Sequence, residues 1–195
     1  MVEFENDNQG WQLTTERGGI VSADWLILAT GYEATRLLPR KIVRLHSSFA
    51  IASQPLESSA GWPEQCLLWE TARPYCYVRT TDDGRAIVGG EDEKFRSPAL
   101  RDALIERKSV KLQARFQAMF PNIPFEAEYA WAGTFGETKD GLPYIGSVPE
   151  IPHAIFALGY GGNGITYSVV AARMISDMAR GIANEDSALF GFGRK

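Results

Sequence analysis

The sequence predicts an α+β fold. Three observations carry that expectation: strand-like segments separated by glycines over residues 1–30, a hairpin within Tyr75–Gly90, and a strand, glycine loop and amphipathic helix at Ala154–Gly181. A chain of 195 residues with 45% hydrophobic content buries a sizeable core, as one domain or as two small ones.

Val2 and Phe4, then Trp11 and Leu13, recur in the period-two manner of half-buried strands, and Gly10, Gly18 and Gly19 punctuate the turns. Trp25–Thr30 runs on without polar alternation, which reads as the last strand of a meander covered on both faces. It closes on Ala29-Thr30-Gly31, where the missing side chain of Gly31 lets a ligand approach the backbone; a plain strand exit accounts for the same residues.

Pro39–Pro63 is irregular apart from a predicted strand at His46–Ser53. The hairpin pairs Tyr75–Thr81 with Arg85–Gly90 through Asp82-Asp83-Gly84, where Asp-Gly supplies the turn chemistry. Alternation sets Tyr75, Tyr77 and Arg79 on one face and Cys76 and Val78 on the other, so the first face is either an aromatic-walled site or a solvated surface. Ser97-Pro98 caps a helix expected to reach Met119 before Pro121. Ile105, Leu112, Phe116 and Met119 form its inner stripe, with Arg101, Glu106 and Lys108 exposed. A strand at Phe125–Ala132 then leads into a long loop, Gly133–Gly146.

The Ala154 segment ends in Gly159-Tyr160-Gly161-Gly162-Asn163-Gly164, four glycines in six residues, followed by the helix. Backbone N–H groups and a positive helix end gathered there suit an anion or a cofactor that develops negative charge. The letters match the G-x-G-x-x-G dinucleotide pattern, which also needs a second parallel strand and an acid roughly 20 residues on. Glu185 and Asp186 sit in a polar patch with no strand behind them, so a cradle of another kind, or a ligand-free tight turn, accounts for the pattern better.

A net charge of −4 and scattered Trp and Tyr offer no basic stripe, so nucleic acid is not an expected partner. No apolar run approaches the roughly 18 residues of a membrane span, and the acidic start is unlike a secretory leader, so the expected setting is cytoplasmic. Cys66 and Cys76 lack metal-site or CxxC spacing, and His46 and His153 do not complete one. No metal is expected, and both thiols read as buried.

Three separated pieces then line up: Leu28-Ala29-Thr30-Gly31; Trp131-Ala132-Gly133 with Thr138-Lys139-Asp140-Gly141-Leu142-Pro143-Tyr144-Ile145-Gly146; and Gly159–Thr166. Together they resemble the C-terminal part of the D-amino-acid-oxidase-like flavoproteins, closest to the glycine oxidase and sarcosine oxidase group. The resemblance spans most of residues 10–190. It implies a partial FAD-binding domain, 1–45 with 152–195, made of meander strands and the C-terminal strand and helix. An antiparallel-sheet substrate domain, 46–151, completes the chain, and the N-terminal Rossmann βαβ unit of the family is expected to be missing. The surface exposed by that loss predicts self-association.

By resemblance the cofactor is FAD, touched by Thr30, Gly31, Gly133, Thr134, Gly159, Gly161, Gly162, Asn163, Gly164, Ile165 and Thr166. Its binding is expected to be non-covalent, because no Cys stands near Gly133, where sarcosine-oxidase-like members attach the flavin. The reaction implied is oxidation of the C–N bond of a small amine or amino acid, with the helix end steadying the reduced ring. Tyr77 matches the substrate-facing Tyr of the group, Arg79 shares its strand face, and Tyr160 and Phe135 complete the expected substrate residues. Phe135 stands where glycine-oxidase-like proteins carry a carboxylate-binding Arg, so Arg79 replaces it or carboxylate recognition is lost. Thr166 stands where some members carry a Lys, which argues against a lysine-assisted oxygen reaction. No Ser/His/Asp set is apparent, and no catalytic residue is assigned. The competing expectation is a truncated, non-catalytic fragment that needs a partner chain or an upstream segment to bind FAD; a ligand-binding module without redox chemistry comes after it.

Overall fold

A computed structural model describes residues 3–6 and 10–194, and the chain divides into two compact units. Unit 1 takes the described residues up to Arg44 and from Phe135 onward, and unit 2 is Leu45–Thr134. The second junction therefore lies earlier than the 151/152 boundary expected from the sequence.

Strands β1 (Glu3–Asn6), β2 (Trp11–Thr14) and β3 (Ile20–Ala23) form the predicted meander, with Phe4 opposite Leu13 and Leu13 opposite Val21. Val2 lies outside the described residues. Trp11 is buried, and its indole N–H donates to the His153 carbonyl at 2.8 Å. Strand β4 (Leu26–Leu28) differs from expectation: it leaves the meander and becomes the outer strand of a second sheet. It is not covered on both faces, since Trp25 and Ile27 are 45% and 49% exposed. An apolar run signals burial only where a covering layer is present.

Unit 2 carries a sheet in the order β6-β7-β8-β5-β9, from β5 (Arg44–Ser53), β6 (Leu68–Trp69), β7 (Cys76–Thr80), β8 (Ala86–Lys94) and β9 (Ala127–Glu137). The hairpin falls where predicted: Gly84 adopts φ +78°, and the Thr81 amide donates to the Arg85 carbonyl at 3.0 Å. Cys76 and Val78 point into the core, Tyr77 is half-buried and Arg79 is exposed, as period-two alternation requires. Cys66, by contrast, is exposed and not the buried thiol expected. Strand β9 runs on through Gly133–Gly136, so these residues are strand, and the loop starts only at Thr138.

The predicted helix is two: α1 (Pro98–Asp102), capped by Ser97 Oγ accepting from the Leu100 amide at 3.3 Å, and α2 (Ile105–Met119). Leu112 and Phe116 reach the core with Phe49, Ile51, Val78 and Val88, and Trp62 stacks on Phe120 at 5.0 Å. Met119 is exposed instead of completing the stripe, and Arg101 is half-buried. Lys108, expected in solvent, is 3% exposed. Its ammonium donates to the Glu91 carbonyl at 2.7 Å and pairs with Glu93 at 2.8 Å and Glu91 at 3.5 Å. A buried cation survives because anions meet it, which a one-dimensional pattern does not display.

The chain re-enters unit 1 through β10 (Tyr144–Val148), predicted as loop, then β11 (Ile151–Leu158), α3 (Gly164–Ala179) and the short α4 (Ser187–Phe190). Strand β11 pairs antiparallel with β10 and parallel with β4, giving the order β10-β11-β4. Ile145, Ala157, Ala171, Met174 and Phe190 make the core of this unit.

Replacing Lys108 by Met leaves the buried Glu91 carboxylate with fewer cations around it. The expected outcome is a loss of about 3 kcal/mol in stability, read from urea denaturation midpoints.

Candidate functional site

The parallel register of β4 and β11, Leu26 against Ala154 through Leu28 against Phe156, brings the carboxyl ends of both strands to one edge. Open sheets bind ligands at that edge. Thr30 and Gly31 leave β4 there, Gly31 at φ +63°, and start a 3₁₀ turn over Gly31–Leu37. Gly159 leaves β11 beside them at φ +78°.

A third segment is clamped onto this edge. The Gly161 amide donates to the Gly136 carbonyl at 3.0 Å, and Glu137 and Tyr160 form a β-bridge. A Cβ on Gly159 would lie 2.7 Å from Thr138 Cγ2, whereas one on Gly136 would make ordinary contact with Tyr32 and Val43 at 3.4 Å. Residues 28–31, 138–146 and 159–166 thus lie together in unit 1, with Gly159 packed against the Thr138 methyl, while residues 131–133 belong to unit 2.

Helix α3 starts at this meeting point. Asn163 precedes it without a side-chain capping bond, so the first-turn amides keep their donors and the positive end of the helix faces outward. The approach is open: a Cβ on Gly161 or Gly164 would meet nothing within 4 Å, and Ile165 is 88% exposed. Gly162, Asn163 and Thr166 are exposed as well. A flat ring that gains negative charge at one edge fits such a surface, which offers unobstructed backbone donors and a helix dipole. The residues present therefore fit the isoalloxazine of FAD.

The remaining expected residues are distributed as follows. Tyr160 packs against the unit 1 core, its ring 6.3 Å from that of Tyr167, and burial raises its pKa. Phe135 is half-buried near the end of β9. Gly133, Thr134, Tyr77 and Arg79 belong to unit 2. The Thr134 hydroxyl accepts from Arg101 at 2.9 Å, a partner the sequence did not suggest. Tyr77 lies across β8, where a Cβ on Gly89 would fall 2.2 Å from its ring, and desolvation raises its pKa.

The 138–143 loop is held by residues that sequence reasoning passed over. Arg194 grips Asp140 with Nε and Nη2 at 2.8 and 3.0 Å, and donates to the carbonyls of Leu142 and Pro143 at 2.6 Å each. The buried Thr138 hydroxyl donates to the Leu142 carbonyl at 2.8 Å. The Arg194 hydrogen bonds hold the Asp140 carboxyl down at about 2. Only the T-K-D-G lettering pointed here, because the partner lies far along the chain.

Comparison with known proteins gives the family. Residues 1–178 match the DAO family, described as FAD dependent oxidoreductase. Glycine oxidase of Geobacillus kaustophilus is 29% identical over 183 residues, covering 91% of this chain and 46% of that protein. The crystal structure of glycine oxidase from Geobacillus kaustophilus superposes with a TM-score of 0.75 at 22% identity, over 99% of this chain and 51% of that one. Iminodiacetate oxidase from Chelativorans sp. BNC1 gives 0.73 at 20%, over 98% and 52%. The chain spans about half the length of the curated relatives it matches.

Asp140 titrates low in the folded state, so its contribution to stability is full above the unfolded carboxylate value near 4 and is lost as pH falls toward about 2. Thermal midpoints should fall across that window, and Asp140→Asn should remove that part of the fall. At neutral pH the variant should lose about 1 kcal/mol, the carboxylate being partly solvated. Gly159→Ala, forced to positive φ against Thr138, should cost about 2 kcal/mol by urea denaturation.

Proposed function

The chain belongs to the DAO family of FAD-dependent oxidoreductases, and from that premise we propose that it is the flavin-edge and substrate-sheet part of an enzyme oxidising the C–N bond of a small amine or amino acid. The observation that carries the reading is the open, uncapped N-terminus of α3 beside the glycine loop at the carboxyl ends of β4 and β11. When bound, FAD supplies the acceptor for the hydride released from the carbon next to the amine nitrogen.

This chain's residues have the tasks of holding and orienting. The amides of Gly162, Asn163, Gly164, Ile165 and Thr166, with the helix dipole behind them, stabilise negative charge at the ring edge. Gly159 and Gly161 let the loop reach contact distance, and Thr30 and Gly31 line the same edge. Gly133 and Thr134, on unit 2, are further proposed FAD contacts, and Thr134 is held by Arg101. Neither Cys66 nor Cys76 stands near Gly133 in sequence, in keeping with non-covalent binding.

In this reading unit 1 is the FAD-binding part and unit 2 the substrate-binding part. Tyr77 and Arg79 on the unit 2 strand, with Phe135 and Tyr160, are the proposed substrate contacts. Among the described residues no helix is long and apolar enough to cross a membrane, and a cytoplasmic setting belongs to the same proposal. Glycine oxidase and iminodiacetate oxidase, by their names, oxidise small amino compounds, which supports an amine or amino acid here.

The half-length coverage and the exposed Trp25 and Ile27 support a second element of the proposal. The remainder of the family's FAD-binding domain, its Rossmann βαβ unit included, covers this surface. At about 25 cal/mol per Å² of wetted apolar area, the polypeptide on its own favours self-association.

Flavin reduction is the decisive assay. The protein loaded with FAD should lose its visible flavin absorbance when a small amine or amino acid is added without oxygen, in this chain or in a version extended upstream. A flavin that stays oxidised with every amine and amino acid offered to both polypeptides contradicts the proposal. Gly164→Val, which adds a side chain into open space, should leave the thermal midpoint nearly unchanged while weakening FAD binding about tenfold.

A further inference from the structure

Unit 2 carries a cation-rich pocket that the flavin reading does not use. It lies on the α2 side of the sheet: Ser47 on β5 pairs with Glu93 on β8, and the Glu93 carboxylate reaches Lys108 of α2 at 2.8 Å. Directly paired residues share a face, so Ser47 looks the same way. The Tyr77 face is the opposite one, because its strand neighbours Cys76 and Val78 enter the core that α2 covers. Residues between Lys94 and Leu104 supply the other walls of a cavity of about 290 Å³.

Cations dominate the lining. Lys94 and Arg96 are exposed, and neither side chain has an ion pair or hydrogen bond among the described residues. Arg101 is fixed in the wall: its side chain is 20% exposed, Nε donates to Asp102 at 2.7 Å and Nη1 donates to the Thr134 hydroxyl at 2.9 Å. Glu93 also lines the pocket, but it is already answered by Lys108 and, at 3.5 Å, by Arg107. Lys94 and Arg96 therefore stand uncompensated in a chain whose net charge is −4, and their field is concentrated in a concavity.

Two further observations point to an anion. Ser47 is 3% exposed and lines the cavity, yet its hydroxyl has no hydrogen-bond partner among the described residues. Buried hydroxyls ordinarily find one. Leu104, which precedes the 15-residue helix α2, provides no side-chain cap, so the positive end of that helix adds to the field beside the cavity. A tetrahedral oxyanion accepts donors from several directions, which suits two free cations, a fixed guanidinium and a hydroxyl better than a planar carboxylate does. Leu100 and Leu104 add an apolar wall for whatever the oxyanion is attached to.

We propose that this pocket binds a phosphate monoester with a small apolar organic group, its phosphoryl oxygens held by Lys94, Arg96, Arg101 and the Ser47 hydroxyl, and its organic part laid against Leu100 and Leu104. The binding needs no flavin, so the proposal stands apart from the oxidoreductase reading.

The test is an NMR titration of the flavin-free chain at constant ionic strength with phenyl phosphate, inorganic phosphate and benzoate. Phenyl phosphate should shift resonances of Ser47, Arg96, Leu100 and Arg101; inorganic phosphate should bind at the same residues about threefold more weakly, and benzoate about tenfold more weakly. Arg96→Gln should weaken phenyl phosphate binding about tenfold and leave the thermal midpoint unchanged, since the native side chain has no partner to lose. Ser47→Ala should weaken it about threefold; should that variant fail to fold, Arg96→Gln decides alone. FAD should not displace phenyl phosphate from these residues. Benzoate bound as tightly as phenyl phosphate, phosphate shifts spread evenly over arginines elsewhere such as Arg17 and Arg36, affinity indifferent to Arg96→Gln, or displacement by FAD overturns the proposal.

Discussion

The close approach of the 136–138 and 159–161 segments organises the rest of unit 1. The Gly161 amide reaches the Gly136 carbonyl, and Gly159 passes Thr138 with no room for a methyl group. The helix that follows starts at Gly164, shortly after this contact, and presents its first amides outward. The parallel pairing of β4 and β11 supplies the other half of the constraint by delivering Thr30 and Gly31 to the same edge. Geometry of this kind costs no reorganisation when charge appears on a neighbouring ring, which is where electrostatic stabilisation is most effective.

Charge placement follows one logic in both units. Anions that serve the fold are answered by cations: Glu91 by Lys108 and Arg115, and Asp140 by Arg194. Asp92, by contrast, has its Oδ1 buried without a hydrogen-bond partner, and burial raises its pKa. A carboxylate kept in a costly setting is the kind of local inconsistency that marks function more often than structure.

The sequence made the element types legible and several of the connections not. The hairpin at Asp82-Asp83-Gly84, the meander and the final strand, loop and helix were readable because turn chemistry and periodicity are local. Strand β4 was misjudged because its parallel partner lies far along the chain, and an apolar run reads the same whether or not a layer covers it. Lys108 looked solvated because helix periodicity does not reveal which anions await on a neighbouring strand, and the break between α1 and α2 left no Gly or Pro as a marker. In the candidate site, the glycine loop announced itself, whereas the Arg194–Asp140 clasp and the Arg101–Thr134 bond are products of long-range pairing.

The account stands or falls on whether the tip of α3 meets a flavin. Backbone amide NMR of the polypeptide during addition of FAD tests this most directly, since each amide reports on its own surroundings. The largest shifts should fall on Gly162–Thr166, joined by Thr30 and Gly31. FAD that binds while those amides stay unmoved, or that shifts a different surface of unit 1, would contradict the account.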